Sequence, residues 1–534
     1  MNAVATAATL GGLYRLLVPE MVLGAVACVL FVGGTFRLGR NLAGAGALGA
    51  LLGAGVAAAL GPRPQAAASA TVSPLLADDL ALFVRFLALG AGGLLVLFSW
   101  HHVPQRWAAE YHGCLLLTIG GLALVGSANE LVTLFLALEL ISIPSYVLLY
   151  LPRSDLPAQE AAAKYFFLSV FSSALLLFGF SYLYGLTGTT NVAAILEALA
   201  RVPRLPLALS EGMPLTSQVA LVMIVAGLGF KIAAVPFHFY AADVYQGAPL
   251  AGVALLAVVP KAAGFVALLR VLGFVWQGSI SPSFGLGAQL GAQEVLSLFW
   301  IMAALTMTLG NVLALLQDNL KRMLAYSSVA HAGYMLIGLT VAPDLSLSGT
   351  DQLVGGPAAV LVYLVAYAAM TIGALAVLAQ LGTPDRPAVD IHELEGLSLT
   401  HPRLALLMAL FLFSLIGLPL TAGFVGKFLV FFGALAVPTP QFSEHAYWFR
   451  ILALVGVVNA AVAAWYYLRV VGVMYLRPPV RPMAASGSLP GWAALLGCAA
   501  LTLGLGVYPK PLIREAQRAA GSAAPPTAAV QAQR

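Results

Sequence analysis

The chain has 534 residues, of which 61% are hydrophobic and only 9% charged, with a net charge of +5 and a mean hydropathy of +0.94. A soluble domain carries about 25% charged residues, so this composition excludes a soluble globule, a disordered chain and a fibrous repeat, and leaves a polytopic membrane protein. The low charge, with no basic patch interleaved with aromatics, argues against a nucleic-acid partner. Cys28, Cys114 and Cys498 lie far apart with no C-x-x-C spacing, which speaks against a zinc site or an iron–sulfur cluster held by this chain alone.

Apolar runs of about 20 residues predict a helical bundle of about fourteen spans, because runs this long and uniform do not fit barrel strands. The first, near 10–31, lacks a basic leader and reads as a span, not a cleaved signal. It forms an N-terminal unit, 1–110, with spans near 42–60 and 79–100. Spans near 111–128, 130–151, 160–185, 218–241 and 248–272 fill 111–275, and spans near 293–316, 322–341, 355–381, 403–436 and 449–475 fill 293–475. A last span near 490–508 lies in the C-terminal segment 485–534, whose Ala/Pro-rich end, 519–534, reads as loose.

Loops carrying Arg37, Arg40, Arg106, Arg153, Lys321, Arg322, Arg386, Arg403, Arg477 and Arg481 alternate with loops carrying Arg63, Arg201, Arg204 and Arg450. The positive-inside rule puts the richer set in the cytoplasm and both termini outside, although Lys510, Arg514, Arg518 and Arg534 in the tail run against it.

Two spans depart from the pattern. GLGFKIAAVPFHFYAADVYQGAP (227–249) and SLIGLPLTAGFVGKFLVFFG (414–433) each hold a proline, glycines and one lysine. A mid-helix proline removes a backbone bond and clashes with the preceding turn, so both are predicted to be broken helices. They lie five spans apart, which predicts a repeated five-helix unit of the kind transporters use. Unrelated proline kinks are the plainer alternative, and the match is imperfect: Lys231 precedes Pro236 whereas Lys427 follows Pro419.

The chain has six lysines and 20 arginines. Lys164, Lys231, Lys261 and Lys427 fall inside predicted spans, while the arginines sit almost wholly in loops or at span ends. Arginine stays charged at any accessible pH, whereas a lysine out of water can exchange its proton. Lys231 and Lys261 lie about 15–20 Å from a span end, too far for the amine to snorkel; a buried ion pair serving packing is the alternative. Lys164 has Glu160 at i−4 for an interfacial pair, or Glu139 on the neighbouring span. Glu139 shares a helix face with Ser142 and Tyr146, and Ser327, His331 and Tyr334 form a similar stripe on the tenth span. Histidine titrates near neutrality and can relay protons, though a lone one is often a satisfied core group. His238 and Asp243 flank the first break and could bond freed backbone groups. No nucleotide loop, Walker loop or HExxH motif occurs on a suitable unit.

Five stretches, NELVTLFLALELISIPSYVLL (129–149), EAAAKYFFLSVFSSALLLFGFSYLYGLTG (160–188), FKIAAVPFHFYAADVYQGAPLAGVALLAVVPKAAGF (230–265), QDNLKRMLAYSSVAHAGYMLIG (317–338) and GLPLTAGFVGKF (417–428), resemble, in order, the antiporter-like membrane subunits of respiratory complex I, the NADH–quinone oxidoreductase. The resemblance covers about 110–475 and is closest to the N-type branch: lysine stands at 427 where the M-type has glutamate, and the long lateral helix of the L-type is not seen. It implies fourteen helices with two inverted five-helix repeats, each holding one broken helix.

The resemblance also implies residue roles in proton translocation. Glu139 and Lys231 would form a charged pair, with Lys164 modulating it. Lys261 would link the halves, His331 would continue the polar axis, and Lys427 would be the outlet lysine. It implies no cofactor or metal bound by this chain. NADH, FMN, iron–sulfur clusters and quinone would belong to partner subunits of a complex in the bacterial inner membrane, and the other membrane-arm subunits would be its neighbours. The alternatives are a subunit of a multi-subunit sodium/proton antiporter or of a membrane-bound hydrogenase, and a scaffold that only assembles the membrane arm.

Overall fold

Residues 3–61, 73–152, 155–201, 215–278, 286–343, 355–383, 386–387, 390–437, 443–479 and 487–522 are described by a computed structural model. Arg63, Arg153, Arg204, Arg481 and Arg534 of the loop-charge reading, and the tail from 523, lie outside the described residues.

The first ten elements are α1 (Ala3–Thr35), α2 (Arg40–Leu60), α3 (Asp79–Ser99), α4 (Ala108–Ser127), α5 (Leu131–Tyr150), α6 (Leu156–Thr187), α7 (Val192–Arg201), α8 (Leu215–Ile232), α9 (Ala241–Gly247) and α10 (Leu250–Gly278). There follow α11 (Leu286–Leu315), α12 (Leu320–Thr340), α13 (Gly356–Gln380), α14 (Pro402–Ile416), α15 (Ala422–Leu435), α16 (Ser443–Leu476), α17 (Leu489–Val507) and α18 (Lys510–Ser522). Among the described residues, the sheet structure is a small hairpin pairing Gly382–Thr383 with Arg386–Pro387.

Among the described residues, twelve helices are long and apolar enough to cross a membrane. The short apolar helices α14 and α15 fall end to end within the twelfth predicted span. α12 has the length but not the hydropathy, because Ser327, Ser328, His331 and Tyr334 punctuate it. A polar stripe of this kind is tolerated where it faces protein instead of lipid, and α12 is buried along nearly its whole length.

Both predicted breaks are present. The chain leaves helix between Ile232 and Ala241, and again between Ile416 and Ala422. Each break holds a non-glycine residue in the left-handed region, Ala233 (φ 57°) and Leu420 (φ 69°), and Gly417 (φ 94°) ends α14. Such conformations oppose the residues' own preference, so the surrounding packing holds the breaks open.

The interior centres on α10 and α13. Every residue of 251–272 is buried, as is 94% of the apolar window in α13. α10 packs against α3, α4, α5, α8 and α13, and α13 packs against α12, α14, α15 and α17. Small residues set the closest crossings. A Cβ on Gly333 of α12 would stand 2.4 Å from Met307 N of α11, and one on Gly310 of α11 would stand 2.6 Å from Ala330 N.

Three features depart from expectation. α7, between the sixth and seventh spans, is too short to span and buries Val192 and Ile195. The tail is not loose from 519: α18 runs to Ser522, buries Ala516 and Ala519 against α3 and α13, and its Ser522 Oγ accepts from Leu80 N at 3.0 Å. Among the described residues, two arginines lie inside the bundle. Arg85 of α3 pairs with Glu20 of α1 at 2.7 Å, and Arg270 of α10 grips both Asp78 oxygens at 2.5 and 2.7 Å. Buried charge persists only when paired, and both arginines satisfy that requirement.

Candidate functional site

The serines of α5 and α6 build the first cluster. Lys231, in the last turn of α8, is buried and donates from Nζ to Ser142 Oγ of α5 at 2.5 Å and to Ser169 Oγ of α6 at 3.2 Å. Glu139, one turn before Ser142, is half-buried and accepts from Ser173 Oγ of α6 at 2.5 Å. Glu139 and Lys231 therefore share a layer of hydroxyls without making a direct ion pair. Ser142 donates its own hydroxyl hydrogen bond to Leu138 O at 2.8 Å, which leaves its lone pairs for the lysine.

Lys164 stands apart from this layer. Its side chain is 41% exposed, and its amine pairs with Glu160 at 2.7 Å and Asp243 at 3.1 Å, not with Glu139. Asp243 does not bond freed backbone groups near the break. Its second oxygen accepts from Arg322 Nη1 of α12 at 2.7 Å. His238 lies within the break, half-buried.

Lys261, in the middle of α10 and 2% exposed, donates to the hydroxyl of Ser328 at 2.5 Å and also to the Ser328 carbonyl. Its Nζ stands 4.9 Å from the centre of the Tyr367 ring. Among the described residues no hydrogen bond joins Lys261 to Lys231.

His331 follows Ser328 by three residues on α12, which places both on one face. It is 1% exposed, with Nδ1 2.7 Å from Tyr363 OH of α13 and Nε2 3.4 Å from Tyr467 OH of α16. Ser327 Oγ also bonds Tyr467 OH. Tyr334, one turn further along α12, accepts from Asn311 Nδ2 at 2.9 Å. Asn311 in turn accepts from Tyr466 OH at 3.0 Å.

Lys427 completes the line. It is buried and donates to the carbonyls of Leu415 and Ile416, each at 2.8 Å, with Nζ 5.0 Å from the centre of the Tyr334 ring. Those two carbonyls end α14, where no further helical N–H follows. This accounts for the mismatch in lysine position between the two broken spans. Lys231 belongs to the first half-helix and Lys427 to the second, yet both amines lie at the carboxyl end of the first, the end that attracts cations.

Sequence reasoning did not single out Ser328, Tyr363, Tyr367 or Tyr467. Ser328 precedes His331 by three residues, and Tyr363 and Tyr367 are four apart on α13, so helical spacing carried a signal for each. Nothing in the spacing signalled the pairing of Asp243 with Arg322, which joins helices far apart in sequence. Among the described residues, no three His, Cys, Asp or Glu side chains gather as metal ligands. Chemically, the arrangement is a series of hydroxyls, an imidazole and amines that can carry and exchange protons without a covalent step.

Over residues 128–449 the chain matches the family described as NADH:quinone oxidoreductase/Mrp antiporter, TM. NADH-quinone oxidoreductase subunit N of Trichlorobacter lovleyi is 37% identical over 512 residues, covering 95% of this chain and 96% of that protein. The subunit N of Rhodospirillum rubrum is 36% identical, covering 94% and 96%. A chain of respiratory complex I from Thermus thermophilus with bound aureothin has a TM-score of 0.72 at 29% identity, covering 93% of this chain and 98% of that one. A chain of the Mrp complex from Dietzia sp. has a TM-score of 0.77 at 20% identity, a likeness of fold.

Proposed function

The chain belongs to the NADH:quinone oxidoreductase/Mrp antiporter family of transmembrane subunits, and we propose that it is an N-type, proton-translocating membrane-arm subunit of NADH–quinone oxidoreductase in a bacterial inner membrane. NADH, FMN, iron–sulfur clusters and quinone belong to partner subunits in this reading. The chain contributes no redox step and moves charge in response to theirs. The richer arginine loops face the cytoplasm and the termini lie outside.

The observation that carries the reading is the role of α12. This one helix supplies Ser328 to Lys261, presents His331 in the middle, and sets the Tyr334 ring beside Lys427. In our reading 111–275 and 293–475 are the two repeats, and α12 lies between Lys261 and Lys427. Glu139 and Lys231 serve the first half, with Lys164 modulating them. Lys261 takes a proton when its neighbours' charges favour it and releases it when they switch. His331 continues the path, and Lys427 is the outlet.

The test is to purify the affinity-tagged chain in its native assembly and to build Lys261→Ala. NADH-driven quinone reduction should co-purify with the tag, and the assembled variant should lose coupled proton pumping. Purified assembly that lacks this activity but exchanges sodium for protons would replace the reading with an antiporter. An assembled Lys261→Ala complex that pumps normally would leave only a scaffolding role.

A further inference from the structure

Two cations open α12: Lys321 and Arg322 stand second and third in the helix. Cations in a first turn oppose the helix dipole, so their placement calls for a partner elsewhere. The sequence reading put both in a loop, but Lys321 is 2% exposed.

That partner is the short half-helix α9, beyond the first break. Lys321 Nζ donates to Gln246 O at 3.0 Å and to Ala248 O at 2.8 Å. These carbonyls end α9, where Pro249 follows with no N–H to offer. An ammonium there satisfies orphan acceptors at the end of the helix that attracts positive charge. Arg322 Nη1 donates to Gln246 Oε1 at 2.8 Å and to Asp243 Oδ1 at 2.7 Å, while Arg322 Nε is fixed by Gln317 Oε1 at 3.1 Å. Asp243 gives its other oxygen to Lys164 at 3.1 Å.

We infer that Lys321 and Arg322 are positioning residues through which α12 holds α9 in register and, by way of Asp243, fixes Lys164. One carboxylate is shared between a lysine of the first proposed repeat and an arginine of the second. Movement of α12 therefore reaches Lys164 without crossing the buried line of lysines. The functional consequence rests on the proton-translocating reading above; the structural one does not.

The experiment uses the whole complex in lipid vesicles, with Lys321→Met, Lys321→Arg, Arg322→Gln and Arg322→Lys. Backbone hydrogen exchange over 241–249 is read beside protons pumped per NADH oxidised. Lys321→Met and Arg322→Gln should each raise exchange in this segment about tenfold and lower the pumping ratio. Lys321→Arg and Arg322→Lys, which keep a donor in place, should restore both to within about twofold. If one charge-removing variant fails to assemble, the other decides. Unchanged exchange overturns the inference, and so does a conservative variant as damaged as its neutral counterpart. Raised exchange with normal pumping would overturn the functional half alone. A failure of the proton-translocating reading would show separately, as normal pumping in Lys261→Ala.

Discussion

Lys231 reaches Ser142 at 2.5 Å, whereas Glu139, one turn earlier on the same helix, takes its hydrogen bond from Ser173. The carboxylate and the amine thus bond different hydroxyls of α5 and α6, not each other. A hydrogen bond to a charged group contributes about 1.5–3 kcal/mol, equivalent to a tenfold or larger change in a rate it controls. Ser142→Ala alone leaves Ser169 in place and should slow NADH-driven proton uptake by vesicles a few-fold. Ser142→Ala with Ser169→Ala should slow it at least about tenfold with assembly preserved. Wild-type uptake in the double variant would show that the hydroxyls do not serve the lysine.

The lysines inside the bundle were legible because each stood alone in a long apolar run, and the price of burying a charge makes such a residue conspicuous. The two breaks were legible from Pro236 and Pro419. Partner identity was not. Lys164 and Asp243 are separated by 79 residues, and Lys261 and Ser328 by 67, and helical spacing reports only which residues of one helix share a face. The choice of Asp243 over Glu139 by Lys164 depends on how the half-helix α9 is placed, which the break decides and the pattern does not encode. The burial of Arg85 and Arg270 was hidden for a related reason: their partners, Glu20 and Asp78, come from other helices or loops, so the compensation for burying them could not be read locally.

Lys427 has carbonyls and an aromatic face as neighbours, and its amine lies 5.0 Å from the Tyr334 ring centre. An ammonium over a ring is worth about 2 kcal/mol when desolvated. Tyr334→Phe keeps the face and gives up the bond from Asn311, so it should retain most of the coupled pumping. Tyr334→Leu removes the face and should reduce pumping about tenfold or more. Equally reduced pumping in the two variants would mean that the hydroxyl network, not the ring, matters, and wild-type pumping in both would mean that neither does.

The α11–α12 crossing depends on Gly333, whose added Cβ would meet the backbone of Met307 at 2.4 Å. Backbone cannot swing aside as a flexible side chain does, so Gly333→Ala should separate the helices at a cost of about 1–3 kcal/mol. Because Ser328 and His331 ride on α12, the shift would reach the site as well. A lower melting temperature of the purified complex, together with reduced pumping, is expected. An unchanged melting temperature would show that the crossing has slack.

Outside the membrane, Glu395 ties the 390–396 segment to the end of α16. It accepts from Arg477 Nη1 at 2.7 Å and pairs with His392 Nδ1 at 3.1 Å, and Gly396 N donates to Val473 O. The Arg477 guanidinium, with His392 beside it, holds the Glu395 carboxyl below its usual value. A carboxyl whose folded pKa is depressed contributes its stabilisation above the unfolded value, about 4.3, and loses it as pH falls through the folded one. Hydrogen exchange in 390–396, corrected for its intrinsic pH dependence, should therefore be steady from pH 7 to about 5 and rise below about 4. Glu395→Gln removes the titrating group, so its exchange should already be raised at pH 7 and should lack the acid rise. A wild-type acid rise in that variant would assign the transition to another carboxyl.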